Sequence, residues 1–256
     1  MENILDEYAQ TNALRELDCR LKLLLGGGCI FIGAMSPTPY APLAIALALG
    51  WAILFCARIP AAIYLRLLAI PLTFAVTSCI VILLFTGGGG VLWGVTLVGF
   101  PLTVTTGSLG LSLLLMARTF GGMSALFFIA LTTPSVQLFG VMRRLHLPQE
   151  FIDLSMLIYR FIFILVGEAI AIRNAQVLRH GYATFKTSVT SFSMLSAMLF
   201  LRSVEKGEDL VRAMDARCYD GLLPVMEERG RAPLRAVGAV GAFLSLCSAL
   251  AILPGG

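Results

Sequence analysis

Apolar and polar positions along this chain fall into long separate blocks instead of mixing turn by turn. Residues 23–57 contain no charged side chain. Their 35 positions fit two short membrane helices, with Pro37 and Pro39 of SPTPY marking the turn. Residues 67–117 are 51 further uncharged positions, enough for two full spans of about 20 residues each. Gly87 to Gly90 would be the turn between them, and Pro71 and Pro101 would lie inside spans, where a kink is tolerated. Ala236 to Leu253 reads as a final short span. Residues 119–142 are also uncharged, but Gly121, Gly122, Thr132, Thr133, Pro134, Ser135 and Gln137 lower their affinity for lipid. A crossing there would also put the Arg-rich region that follows on the wrong side. This stretch is expected at or in the cytoplasmic face, packed on protein.

From Pro148 the pattern changes. Pro148 suits the first turn of a helix, with Glu150 and Asp153 near its positive end. Asp153, Arg160 and Glu168 recur at spacings of seven and eight, which places them on one face of a long helix. The other face is rich in Phe, Ile and Leu, as in a helix lying against apolar protein or the interface. It is expected to end near Arg179, His180 and Gly181. After the apolar, Ser- and Thr-rich residues 182–201 comes LFLRSVEKGEDLVRAMDARCYDG, Leu199 to Gly221. Glu208 and Arg212 sit four apart, an order that supports a helix. Arg217 falls in the expected last turn, at the negative end of the dipole. Gly221 is placed to stop the helix and Pro224 to keep it from resuming. Ala213, Ala216 and Arg217 lie within about one turn of each other, small residues beside one cation, a shape that enters a groove on another protein. The plainer reading is that Arg217 only stabilises its own helix end. Two such ends, at Arg179 and Arg217, in one polar block suggest a paired docking device.

Charge fixes the topology that the pattern leaves open. Of 256 residues 58% are hydrophobic and 13% charged, against about 25% charged in a soluble domain. The 19 Lys and Arg fall into three blocks: Arg15 to Lys22, the pair Arg58 and Arg66, and Arg118 to Arg235. Basic residues flanking spans collect on the cytoplasmic side, which puts all three blocks there and requires even numbers of crossings between them. Met1 to Lys22 is acidic and helix-patterned, unlike a secretory signal. The expected fold is all-α: a polytopic membrane protein of about five transmembrane helices. Its segments are an interfacial lead (1–22), a membrane domain (23–117), a cytoplasmic block of long helices (118–235) and a last span (236–256).

Candidate chemistry is sparse. The chain lacks the GxSxG, HExxH and Walker A patterns. His146 and His180 both lie beside arginines, a poor setting for a cation. The six Cys are scattered with no CxxC spacing, so neither a zinc site nor a disulfide framework is indicated. No charged side chain falls inside the expected spans, so an ion path through this chain alone is not expected. A self-contained secondary transporter would need such residues, and usually an internal repeat. A membrane-embedded transferase would need converging acidic groups or histidines. MDARCYDG lacks the order and spacing for that.

The chain resembles the CbiQ/EcfT family, the transmembrane coupling subunits of energy-coupling factor transporters. LDEYAQTNALRELDCRLKLL resembles the family's opening, with Asp18, Arg20 and Lys22 in place and Cys19 where Pro is usual. LTTPSVQLFGVMRRLHLP, followed by Tyr159, Arg160 and Glu168, resembles the stretch leading into the coupling helices. RSVEKGEDLVRAMDARCYDG resembles the Ala-Arg-Gly signature, here Ala216, Arg217 and Cys218, with Cys in place of Gly. The other signature is matched by Arg179, with Gly181 close after. The Tyr8 to Leu14 opening looks most like the cobalt and nickel branch. The resemblance implies a non-catalytic subunit whose two coupling helices dock on a pair of cytoplasmic ATPases through Arg179, Gly181, Ala213, Ala216, Arg217 and Cys218. Thr132, Thr133, Pro134, Tyr159, Arg160 and Glu168 would contact a separate substrate-binding membrane subunit. ATP would sit on the ATPases and Co2+ or Ni2+ on the substrate-binding subunit. This chain would hold no cofactor, no metal and no nucleic acid, and its remaining surroundings would be membrane lipid.

Overall fold

A computed structural model describes residues 8–14, 17–86, 90–97, 100–145, 147–221 and 233–252. The chain divides into two compact units, 1–138 with 228–256 and 139–227, and each is described by itself.

In the first unit, α1 (Cys19–Met35) starts at Asp18, whose carboxylate accepts from the Arg20 backbone N–H. This N-cap fills one of the orphan donors of the first turn. α1 stops at Ser36, because Pro37 and Pro39 cannot continue the ladder. α2 (Tyr40–Trp51) runs on through a π-helical turn, Ala52–Cys56, and the left-handed backbone of Arg58 ends it. α3 (Ala61–Phe85) tolerates Pro71 in its interior. Strands β1 (Val91–Leu97) and β2 (Phe100–Thr105) pair antiparallel, from Val91 opposite Thr105 to Leu97 opposite Phe100, with a bulge between Val91 and Trp93. α4 (Thr106–Thr132) opens with a capping box between Thr105 and Ser108, and α8 (Leu234–Ile252) completes the unit.

Close contacts give the register of this unit. α1 runs antiparallel to α4. The Lys22 ammonium donates to the Thr132 carbonyl at 2.8 Å, and the Arg118 guanidinium donates to the Ser36 carbonyl at 3.2 and 2.7 Å. α3 also runs antiparallel to α4, with the Tyr64 and Ser124 hydroxyls 3.1 Å apart and the Cys79 thiol on the Ser112 carbonyl at 3.4 Å. Gly121 lets α2 come close: a Cβ there would lie 2.8 Å from the Pro42 carbonyl oxygen. The core gathers around the C-terminal half of α4, where Ala125, Phe128 and Leu131 meet Cys29, Ile45, Leu49, Ile53 and Cys247.

Several expectations are corrected here. Residues 67–117 do not hold two full spans. Positions 91–105 pair as strands, in keeping with their run of Val, Thr, Trp and Phe, and Pro101 lies in β2 opposite Thr96. The next long helix therefore begins at Thr106, and residues 119–132 are its second half, not a segment apart. The boundary drawn at 118 falls inside a continuous helix, and the spans are not free of charge, since Arg118 sits near the middle of α4. Gly87 to Gly89 of the expected turn lie outside the described residues, as does His146.

The second unit holds α6 (Gln149–Leu178) and α7 (Phe185–Asp215), preceded by α5 (Ser135–Arg144), which begins before the unit boundary. The expected polar face of Asp153, Arg160 and Glu168 is not one solvated stripe. Asp153 is buried, with the Arg143 guanidinium 3.9 Å away, whereas Arg160 is exposed. Tyr159 packs edge-on against Phe139 and Phe163, with ring centroids 6.0 and 5.1 Å apart.

Among the described residues four helices are long and apolar enough to cross a membrane: α3, α4, α6 and α8. α1 and the α2 segment, at 17 residues and 12 plus 5, are shorter. Apart from one β-ribbon among the described residues, the chain is an all-α polytopic membrane protein.

Candidate functional site

The two arginines singled out by sequence stand on helix ends of the same construction. α6 ends with Arg179 as its C-cap. His180 follows in the left-handed region at φ 57. The Gly181 N–H reaches back five residues to the Gln176 carbonyl at 2.8 Å, and the His180 N–H bonds to the Val177 carbonyl at 3.0 Å. α7 ends with Ala216 as its C-cap. Cys218 follows at φ 54, the Tyr219 N–H reaches the Met214 carbonyl at 3.1 Å and the Cys218 N–H the Asp215 carbonyl at 3.1 Å. Each is a Schellman-type end in which the backbone satisfies carbonyls left over by the helix. Each also places an exposed arginine immediately before the left-handed residue.

The backbone geometry of the two ends corrects the expected correspondence. Gly221 does not stop α7, although its own φ is +91. The helix has ended by Asp215, and Cys218 makes the turn. In the first end the left-handed position belongs to His180, one residue before Gly181. Gly181 does different work. A Cβ there would lie 2.6 Å from the Ser191 hydroxyl and 3.0 Å from the Gln176 carbonyl oxygen, so the turn into α7 closes only on a glycine. The Ser191 hydroxyl donates to the Gly181 carbonyl at 2.8 Å, and the Gln176 amide donates to the Ser191 carbonyl at 2.9 Å.

The remaining candidates do not converge on one spot. Glu168 pairs with Arg202, tying α6 to α7 about halfway along both. Thr132 and Thr133 are buried within the first unit. The Thr132 hydroxyl donates to the Phe128 carbonyl at 2.6 Å, and its own carbonyl receives Lys22. Pro134 follows them in the break between α4 and α5. Ala213 and Ala216 are exposed beside Arg217. Arg179 and Arg217 lie at opposite ends of α7, a helix of 31 residues, so about 46 Å of helix separates them at 1.5 Å per residue. The unit can therefore present two separate cationic tips, one at each end of a long bar.

Sequence reasoning missed His180 as a left-handed residue, Gln176 and Ser191 as the clamp of the turn, and Arg202 as the partner of Glu168. The repeat of the Arg-then-left-handed pattern was hidden because neither left-handed residue is glycine. Among the described residues no group of three or more His, Cys, Asp or Glu side chains is placed to hold a metal ion.

The family model described as CbiQ, cobalt transport protein, matches residues 10–228. The chain is 49% identical over 246 residues to the putative fused cobalt transport protein CbiMQ of Methanocorpusculum labreanum, covering 96% of this chain but only 41% of that protein's length. It is 36% identical over 225 residues to the uncharacterized protein MJ1089 of Methanocaldococcus jannaschii, with 88% and 84% covered. It is 28% identical over 221 residues to the energy-coupling factor transporter transmembrane protein EcfT of Limosilactobacillus fermentum, with 82% and 80% covered. Matched along most of its length, through both helix ends that carry the arginines, the chain belongs to the CbiQ family of cobalt transport proteins.

Proposed function

We propose that this protein is the transmembrane coupling subunit of an energy-coupling factor importer for cobalt or nickel. One observation carries the reading: two helix ends of the same construction, each exposing an arginine, lie at opposite ends of α7. A pair of cytoplasmic ATPases offers two equivalent grooves. A bar with a matched cationic tip at each end, Arg179 and Arg217, can engage one groove with each. Ala213 and Ala216 leave room for close approach at the second tip. ATP-driven closure of the ATPases would move the tips, and the Glu168–Arg202 pair and the Gly181 turn would make α6 and α7 respond together.

The surface supports an assembly. α6 and α7 expose Phe151, Ile158, Ile162, Phe185, Phe192 and Phe200, among others, far more apolar area than a solvated face carries. A substrate-binding membrane subunit and lipid would cover it, with Tyr159 and Arg160 on the side facing that subunit, whereas Thr132 and Thr133 are buried within the first unit and do not offer it a surface. Relatives named as a fused CbiMQ protein and as EcfT support a role beside other components. The metal is cargo of the substrate-binding subunit and ATP belongs to the ATPases; this chain supplies no catalytic group and binds no nucleic acid. The N-terminus and the Arg-rich segments after α4 face the cytoplasm of the cell membrane in this reading, on the strength of the basic residues concentrated there.

The test is co-expression with the ATPase and substrate-binding subunits, reading metal uptake and ATPase copurification for Arg179→Ala and Arg217→Ala. Truncating one partner of a charge pair desolvated at an interface costs about 2–5 kcal/mol. Loss of uptake and of bound ATPase, with the protein still folded in the membrane, is the expected result. Normal transport with the ATPase retained in both variants would refute the docking role.

A further inference from the structure

The turn between α1 and α2 is built for a place without water. α1 follows α4 from Thr132, where Lys22 binds, to Arg118, where Ser36 binds. α2 returns along the same half of α4, with Pro42 on Gly121. The hydrogen bonds and close approaches of α1 and α2 to α4 run from Thr132 to Arg118, whereas α3 follows α4 as far as Ser112. α4 has 27 residues, about 40 Å at 1.5 Å each, against a hydrocarbon core of about 30 Å. Arg118 lies 14 residues from Thr132 and 12 from Thr106, roughly 21 and 18 Å along the axis. However the surplus of about 10 Å is shared between the two ends, a crossing α4 keeps this level at least about 8 Å inside the core on either side.

Non-helical backbone at that depth must have its polar groups met from within, and here those of Ser36 and Thr38 are. Pro37 and Pro39 bring no N–H at all. The Ser36 N–H bonds to the Ile32 carbonyl at 3.0 Å. The Ser36 hydroxyl donates to the Thr38 carbonyl at 2.9 Å and accepts from the Thr38 N–H at 3.4 Å. Both residues are buried, at 0% and 3% exposure. The Ser36 carbonyl takes two N–H groups of the guanidinium. A turn standing in water would need none of this.

We propose that α1 and α2 form a re-entrant hairpin, entering and leaving on one side of the bilayer, with Arg118 as the positioning residue that seals its tip inside the hydrocarbon core. The two segments are not a pair of short crossings, and the intramembrane arginine serves this tip. The inference needs only that α4 crosses the membrane and is independent of the coupling role.

The experiment places an environment-sensitive fluorophore on Met35→Cys, an exposed residue at the end of α1, in a full chain whose native cysteines are replaced by Ala or Ser. The protein is reconstituted in vesicles carrying nitroxide lipids labelled at the headgroup, at mid-chain or near the chain end. Phe85→Cys, exposed at the far end of α3, serves as the reference. Acyl-chain nitroxides are expected to quench the Met35 site several-fold more than the headgroup nitroxide, while the Phe85 site shows the reverse order. Headgroup-dominated quenching at both sites would overturn the re-entrant assignment. In the same labelled chain, Arg118→Met is expected to shift or broaden the Met35 depth profile and Arg118→Lys to preserve it. An unchanged profile in Arg118→Met would overturn the role given to Arg118. If Arg118→Met does not fold, the depth of the Met35 site in the Arg118 chain still decides the topology, and the Arg118→Lys profile still tests the residue.

Discussion

Cys218 holds a backbone conformation that a side chain disfavours, and the cost can be read out beside Arg217. Its φ of 54 is left-handed, where an L residue is destabilised by roughly 1–2 kcal/mol. Cys218→Gly removes that strain. It also adds about 0.5–1 kcal/mol of chain entropy to be lost on ordering, so the net gain expected is about 0.5–1 kcal/mol for the closed helix end. Since 1.4 kcal/mol is tenfold, opening of this end should become about two- to fivefold rarer. Cys218→Val works in the other direction, because a β-branched residue at positive φ is a genuine outlier. The reporter is the Tyr219 amide, whose N–H is bonded to the Met214 carbonyl at 3.1 Å only while Cys218 keeps its turn. Hydrogen–deuterium exchange followed by mass spectrometry should show this segment exchanging more slowly in Cys218→Gly and faster in Cys218→Val. ATPase copurification should follow the same order, although Arg217 itself is untouched. Equal exchange in all three proteins would show that the left-handed turn does not hold the helix end, and would remove the structural basis for matching it to the end at Arg179.

Other consequences follow from contacts at single positions. Gly181→Ala forces a Cβ to 2.6 Å from the Ser191 hydroxyl and should destabilise the α6–α7 turn by about 1–3 kcal/mol; thermal unfolding in detergent should show Ser191→Ala recovering only part of this, since the Gln176 carbonyl stays at 3.0 Å. Gly121→Ala meets the Pro42 backbone at 2.8 Å and should lower the melting temperature, whereas Gly122→Ala, with nothing within 4 Å, should leave it unchanged or raise it slightly. Lys22→Met leaves the buried Thr132 carbonyl without its donor and should cost about 1–3 kcal/mol, measured as lost folded yield or thermal stability. Glu168→Arg should weaken the tie between α6 and α7 by about 1 kcal/mol or less, since the pair is partly solvated; adding Arg202→Glu should restore the loss, and failure of the double exchange to do so would place the interaction elsewhere.

Block structure and composition were enough to declare an all-α polytopic membrane protein. They also located both arginines, because a helix end marks itself locally through charge, small residues and a break. The SPTPY turn was visible for the same reason: two prolines stop a helix whatever surrounds them. What the chain could not declare was depth and partnership. Hydropathy treats 67–117 as one apolar run, and only pairing between Val91 and Thr105 reveals strands there, since β-pairing is a contact between distant residues. Arg118 reads as the start of a polar block until the fold brings the Ser36 carbonyl to it from 82 positions away. Glu168 looks like a surface charge until Arg202 arrives from the next helix. The left-handed turns at His180 and Cys218 were illegible because propensity points to glycine at such positions, and here packing and hydrogen bonds of the helix end override it. Local chain chemistry thus set where helices start and stop. Which face is buried, how deep a turn lies and which charge is paired were decided only when the helices packed.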